Sequence, residues 1–201
     1  MKEQKATNVV WHEHKVTRQD RESLLKQKGV VIWLTGLSGC GKSTIANEVA
    51  YKLHKMGKLA YVLDGDNIRQ GLNKDLAFSP EDRNENIRRI SEVAKLFADA
   101  GFVTLTAFIS PYRKFRNFCR ELAGPGRFFE VYVKASIETC EKRDTKGLYK
   151  KAKEGIIKDF TGINAPYEEP DAPELVVDTD IETVEESVEK VLTILKKQKI
   201  I

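Results

Sequence analysis

Cysteine is scarce in this chain: Cys40, Cys119 and Cys140 form no CxxC pair and leave one residue over. That argues against a secreted disulfide framework and suits a reducing compartment, so a cytoplasmic location is expected. Histidine is as rare. His12 and His14 lie close together with no third ligand, and His54 falls on the surface of a helical pattern, so no histidine metal site is expected. No apolar run approaches the roughly 20 residues of a spanning helix, which speaks against a membrane partner. The first 29 residues lack a signal peptide's apolar core. With Glu3, Glu13, Asp20 and Glu22 among their basic residues, they also lack a transit peptide's acid-poor bias. There is no repeat, no low-complexity stretch and little excess of either charge. Thirty-four Lys and Arg against 30 Asp and Glu leave +4, which speaks against a dedicated nucleic-acid surface.

What is present is enough chain for one ordinary domain: 201 residues, 41% hydrophobic and 32% charged. A chain of this length encloses a full core without staples. The expected division is an N-terminal arm over 1–29 and a domain over 30–201. Within that domain, strand and helix signals alternate. Apolar runs at 30–34, 59–63, 102–108, 128–133 and 174–177 read as strands, the second as a buried one. Helical spacing appears at Ile45, Ala46, Val49, Ala50, Leu53 and Met56, closed by Gly57, and again at Ile87, Ile90, Ala94 and Phe97. Ser79-Pro80-Glu81-Asp82 carries the cap, first-turn proline and acidic residues that start the second of these helices, which is expected to reach about residue 100. Further helices are expected at 111–123, at 137–143 and from about 181. Five strand signals separated by helices predict an α/β fold, a doubly wound five-stranded parallel sheet with helices on both faces. The charged interruption at 144–173 is too long for an idle loop and reads as a substrate-covering lid.

Gly36-Leu37-Ser38-Gly39-Cys40-Gly41-Lys42-Ser43 fits GxxxxGK[ST] directly after a strand and before a helix. Its glycines let successive N–H groups and the helix N-terminus point at phosphate oxygens, while Lys42 neutralises outer phosphates and Ser43 can ligate Mg2+. A P-loop NTPase-type fold is therefore expected. Length leaves no room for motor domains, and no NKxD segment marks a guanine-selective switch, which favours a small kinase. Asp64 and Asp66, two apart at the predicted end of the second strand, should project to the same side if the chain stays extended. One could accept a hydroxyl proton and the other hold a magnesium-bound water, although acidic residues there also cap Asp-Gly turns. Arg69, Arg83 and Asn86 could face a phosphate or sulfate; Arg88 and Arg89 cannot all do so as well. Phe78 could stack on a base or act as a hydrophobic staple.

Several blocks together resemble the adenylylsulfate kinase family over nearly the whole chain. These are Trp33-Leu34-Thr35, Asp64-Gly65-Asp66-Asn67-Ile68-Arg69, Phe78-Ser79, Glu81-Asp82-Arg83, Glu85-Asn86-Ile87-Arg88-Arg89, Ser110-Pro111-Tyr112-Arg113, Lys146-Gly147-Leu148-Tyr149-Lys150 and Phe160-Thr161-Gly162-Ile163. The resemblance implies transfer of the ATP γ-phosphoryl group to the 3'-hydroxyl of adenosine 5'-phosphosulfate, with Mg2+ assisting. It implies that Asp66 activates the hydroxyl and that Lys42, Asp64 and Lys146 complete the catalytic set. Gly36 to Thr44 (Gly36, Leu37, Ser38, Gly39, Cys40, Gly41, Lys42, Ser43, Thr44) and Arg143 would bind ATP, with Ser43 and Asp64 at the metal. Arg69, Arg83 and Asn86 would hold the phosphosulfate and neighbouring groups, Phe78 and Phe160 would sandwich the acceptor adenine, Ile109 and Ser110 would line the acceptor pocket, and Lys146 would reach from the lid toward the phosphosulfate or the transferring phosphate. A serine at Ser110 invites a phosphoserine route, but direct in-line transfer needs fewer assumptions.

The resemblance also implies a stand-alone homodimer, to which Trp11, His12 and the basic arm could contribute. Four residues depart from the family pattern: Thr145 for proline, Ala77 for glycine, Asn164 for aspartate and Cys40 for alanine. Thr145 would loosen the lid hinge and Ala77 would disfavour a positive φ. Cys40, at a helix N-terminus, is either an oxidisable thiol or a small space-filler. Two other readings stay open on the residues alone: a small P-loop kinase for a nucleoside monophosphate or polyol, and an inactive nucleotide-binding relative.

Overall fold

The computed structural model describes residues 6–144 and 146–201. Its elements in chain order are α1 (Arg18–Leu25), β1 (Val30–Thr35), α2 (Lys42–Lys55), β2 (Ala60–Asp64), α3 (Gly65–Gln70), α4 (Pro80–Asp99) and β3 (Val103–Ala107). They continue with α5 (Arg113–Ala123), β4 (Phe128–Lys134), α6 (Ile137–Arg143), α7 (Leu148–Lys153), β5 (Leu175–Asp178) and α8 (Val184–Lys197). The strands form one sheet in the order β2-β3-β1-β4-β5, parallel at every pairing, which is the expected doubly wound α/β sheet.

β1 is the central strand and all six of its residues are buried, as a parallel strand covered on both faces requires. Alternation sends Val30, Ile32 and Leu34 into a core shared with Val49 and Leu53 of α2 and with Val188, Val191 and Leu192 of α8. Val31 and Trp33 face the other way, against Ile87, Ile90 and Ala94 of α4 and Cys119 of α5. β2 was expected to be buried. It lies at the sheet edge, where only Leu63 is enclosed and Tyr61 is exposed, its ring stacking on half-buried Phe97 at 4.8 Å.

The helix starts follow their caps. The Ser79 hydroxyl accepts from the Asp82 N–H with Pro80 in the first turn, as read. α8 begins at Val184, later than residue 181, because a Thr183/Glu186 capping box sets its start. α5 begins at Arg113, since Pro111 and Tyr112 remain outside the helix. Three helices were not anticipated: α1, opened by a Thr17/Asp20 capping box, α3 directly after β2, and α7 inside the 144–173 interruption. Thr145, the proposed hinge residue, lies outside the described residues.

α1 is fastened to the domain. Arg18 and Arg21 pair with Asp99 at the end of α4, and Glu22 pairs with Arg127 and accepts from the Gly29 N–H. Below it, the buried Gln27 amide donates to the Leu59 and Gly101 carbonyls and accepts from the Leu59 N–H, tying together the chain at the starts of β1, β2 and β3.

On α4, Glu85 accepts from Arg88 and Arg89, and Arg89 also holds Asp75. These two arginines are structural. Hydrogen bonding from Arg88 first, then from Arg89, outweighs desolvation and brings the Glu85 pKa down to about 2 from 4.5. A depressed carboxyl stabilises the fold above its unfolded pKa, and that stabilisation fades as pH falls from about 4.5 through about 2. In Glu85→Gln, the melting temperature should therefore fall less steeply between pH 5 and pH 2 than in the wild type. Parallel acid limbs in calorimetry would remove Glu85 from this role.

Candidate active site

The turn from β1 into α2 is built for close approach of the backbone. Gly36 has φ of 151°, and a Cβ there would meet the Val133 carbonyl oxygen at 2.3 Å; Gly39 has φ of 77°. The loop leads its N–H groups into the α2 N-terminus, the arrangement that attracts anions. Lys42 is buried, and its ammonium donates to the Gly36 carbonyl at 3.0 Å and the Leu37 carbonyl at 2.6 Å. Ser43 donates to Asp64 Oδ2 at 2.6 Å. Cys40 is fully buried, with its sulfur 3.6 Å from the Lys42 nitrogen. Its environment is that of a space-filling core residue closed off from solvent.

The two carboxylates do not both project from an extended strand: Asp64 ends β2, and Asp66 lies beyond it in α3. Asp64 caps α3, accepting from the Asp66 N–H at 3.0 Å, and Asp66 sits in the first helical turn. The helix turns Asp66 toward the segment after α6, where its Oδ2 pairs with the Lys146 ammonium across an exposed gap. Strand alternation was thus the wrong reason for bringing these carboxylates together; the bend into α3 does it.

Two open clefts meet here. The smaller, about 240 Å³, is lined by Arg69, Arg83, Asn86, Phe108, Ile109, Ser110, Phe160 and Thr161. The larger, about 900 Å³, runs over Cys40, Gly41, Thr44, Arg143, Tyr149, Thr179 and Glu182. Ser38, Gly39, Lys42, Ser43, Asp64, Asp66 and Lys146 line both. Arg143 is held at the edge of the larger cleft by the Thr179 hydroxyl and carbonyl, at 3.1 and 2.7 Å.

In the smaller cleft, Arg83 donates to the Phe78 and Asp159 carbonyls and to the Thr161 hydroxyl. Arg69 holds the Leu76 and Ala77 carbonyls and stacks its guanidinium 4.5 Å from the Phe78 ring centroid. Burial, and after it the neighbouring Arg83 charge, lowers the Arg69 pKa. Asn86 is buried and accepts from Asn73. Phe160 is buried, whereas Phe78 is 66% exposed and lies beside the cleft, not in its lining. Ala77 has no positive φ, so the loss of glycine there costs no strain. The Asn164 side chain accepts from the Phe160 N–H and closes the turn that carries this ring.

Ser110 adopts φ of 39°, uncommon for a residue with a Cβ, and is 2% exposed. Its hydroxyl accepts from Trp33 Nε1 and donates to Thr35 Oγ1, both at 3.0 Å, and Thr35 is in hydrogen-bond contact with the Tyr167 hydroxyl. A hydroxyl committed in this way forms pocket wall and is not a poised nucleophile. The 144–173 segment likewise does more than cover: Tyr149, Ala152 and Phe160 pack into the core beside α2.

A family model for adenylylsulphate kinase matches residues 28–178. The chain belongs to that family. It is 58% identical over 201 residues to the adenylyl-sulfate kinase of Clostridium acetobutylicum, covering all of both chains. It is 59% identical over 191 residues to a probable adenylyl-sulfate kinase of Halalkalibacterium halodurans, covering 95% of each. A solved structure of the Mycobacterium tuberculosis APS kinase in complex with AMPPNP and APS superposes with a TM-score of 0.81 at 47% identity, over 85% of this chain and 99% of that one. The chain is thus an adenylylsulphate kinase, an ATP-dependent enzyme with the P-loop NTPase fold.

The clefts are also lined or braced by residues that the sequence reading did not assign. Tyr149 lines the larger cleft, Thr179 anchors Arg143, and Trp33, Thr35 and Tyr167 brace Ser110. The blocks Trp33-Leu34-Thr35 and Lys146-Gly147-Leu148-Tyr149-Lys150 contained Trp33, Thr35 and Tyr149 but gave none of the three a role, and nothing signalled Tyr167 or Thr179. No helix among the described residues is long and apolar enough to cross a membrane.

Proposed function

We propose that the larger cleft takes ATP and the smaller takes adenosine 5'-phosphosulfate, with the γ-phosphoryl group passing to the ribose 3'-hydroxyl. The observation that carries this reading is the shared wall: Lys42, Ser43, Asp64, Asp66 and Lys146 face both clefts. Donor and acceptor would meet end to end there. As the oxygen–phosphorus bond forms and the bond to the β-phosphate breaks, the hydroxyl proton moves to the Asp66 carboxylate and ADP leaves. Gly36 to Thr44 would cradle the triphosphate, with Lys42 moving from its loop carbonyls to the outer phosphates and Arg143 covering the adenine. Arg69 and Arg83 would grip the phosphosulfate, beside Asn86 and against the Ile109 and Ser110 wall. Phe160 and the exposed ring of Phe78 would face the acceptor base.

Magnesium suits the donor set. A hydroxyl and a carboxylate oxygen 2.6 Å apart, Ser43 Oγ and Asp64 Oδ2, are hard ligands beside the phosphate loop. When bound, the ion supplies charge neutralisation at the β- and γ-phosphates. Exposed Val9, Val10 and Trp11 in the arm support a homodimer, and three buried, unpaired cysteines support a cytoplasmic location.

The test is ADP release with ATP and a panel of acceptors: adenosine 5'-phosphosulfate, nucleoside monophosphates and polyols. Turnover on the sulfated nucleotide is expected. Efficient phosphorylation of another acceptor with none on this one would overturn the reading. Phe78→Ala should raise the acceptor KM, by the roughly 1–3 kcal/mol that base stacking contributes elsewhere. A change confined to the ATP KM would displace Phe78 from the acceptor.

A further inference from the structure

Tyr149, the one aromatic residue of α7, lines the larger cleft and touches Phe160, which lines the smaller. It is 2% exposed. Its hydroxyl donates to the Ser38 carbonyl in the phosphate loop at 2.8 Å, while its ring meets Phe160 edge-on, centroids 4.9 Å apart at 77°. Asp144 fixes the first turn of α7 by accepting from the N–H groups of Leu148 and Tyr149 at 2.8 and 2.9 Å, which sets the tyrosine's position.

The hydrogen bond to Ser38 matters because a peptide unit is planar. The Ser38 carbonyl and the Gly39 N–H belong to one such unit and point in opposite directions, so a donor that holds the carbonyl also aims the amide. Gly39 has φ of 77°, and glycine on its own resists rotation of that unit poorly. Burial raises the pKa of the Tyr149 hydroxyl, so it remains a donor throughout the working range. Filling the core alone would need only phenylalanine. A buried hydroxyl is costly unless bonded, and here it is bonded to the loop.

We propose that Tyr149 is a positioning residue that sets the Ser38–Gly39 peptide of the ATP site with its hydroxyl and the Phe160 ring of the acceptor site with its own ring. This rests on the assignment of Phe160 to the acceptor. The donor half stands apart from it.

Steady-state kinetics of Tyr149→Phe, Tyr149→Leu and Phe160→Leu test the proposal, each with both substrates varied. Tyr149→Phe keeps the ring and loses the hydroxyl. It should raise the ATP KM roughly 3- to 10-fold, the range of one lost hydrogen bond, with the acceptor KM within about twofold of wild type. Tyr149→Leu should raise both constants, so that phenylalanine rescues the acceptor side alone. Tyr149→Phe with an unchanged ATP KM, or with both constants raised equally, overturns the proposal. If Tyr149→Leu does not fold, the split in Tyr149→Phe decides. Phe160→Leu with an unchanged acceptor KM overturns the acceptor assignment instead, and leaves the ATP result to be read separately.

Discussion

Asp66→Ala is expected to lower turnover by roughly 10²- to 10⁴-fold, the usual contribution of a positioned general base, with ATP binding nearly unchanged. The carboxylate lies in the first turn of α3, on the wall common to both clefts, and pairs with Lys146 and not with the phosphate loop. Asp64, by contrast, touches the loop through Ser43. The two carboxylates are therefore separable: loss of Asp66 should leave the donor side standing. Asp66→Asn keeps the size of the side chain without its basicity and should be nearly as slow as the alanine variant. Single-turnover rates, together with titration of a non-hydrolysable ATP analogue, measure the two halves. Turnover within a few-fold of wild type would remove Asp66 from proton transfer.

The second large effect is on stability. Arg116 and Glu130 form an ion pair at 2.6 Å with side chains 1% and 6% exposed, and Arg116 also donates to the Ser110 and Glu168 carbonyls at 2.7 and 2.8 Å. One guanidinium thus holds α5 to β4, fixes the backbone at the left-handed Ser110 and draws in the segment leading to β5. Arg116→Ala leaves two carbonyls without their donor and a buried carboxylate with only Arg120, at 3.4 Å, for a cationic partner among the described residues. Breaking a buried pair from one side costs about 3–5 kcal/mol. For a domain of this size that lowers the melting temperature by roughly 6 to 20 °C. Since the same change frees Ser110, the acceptor KM should rise in whatever protein remains folded. A melting temperature within about 2 °C of wild type would show that the pair contributes little.

Much of this was legible in the sequence because the signals were local. The strand at 30–34 reads as buried since every residue in it is apolar, and the phosphate loop reads from eight consecutive positions. α3 and α7 were illegible for a shared reason: each has six residues, too few for a 3.6-residue period to repeat. α3 is disguised further by Asp64-Gly65, which reads as a turn and is in fact a capped helix start. α1 did carry a legible cap in Thr17 and Asp20, with aspartate in place of the usual Glu or Gln at the third position. The contacts of Tyr149 with Ser38 and of Tyr167 with Thr35 join residues 111 and 132 positions apart. No local pattern encodes such pairs. The edge position of β2 escaped notice similarly, since the order of strands in a sheet is a property of the whole chain.

Gln27 gives the molecule a mechanical polarity. Its one amide buckles the chain where three strands begin, at the end of the sheet opposite the clefts. The base is thereby clamped, while the strand tips carry glycines and a contorted serine. Substitutions at the rim can therefore accumulate without unpicking this foundation.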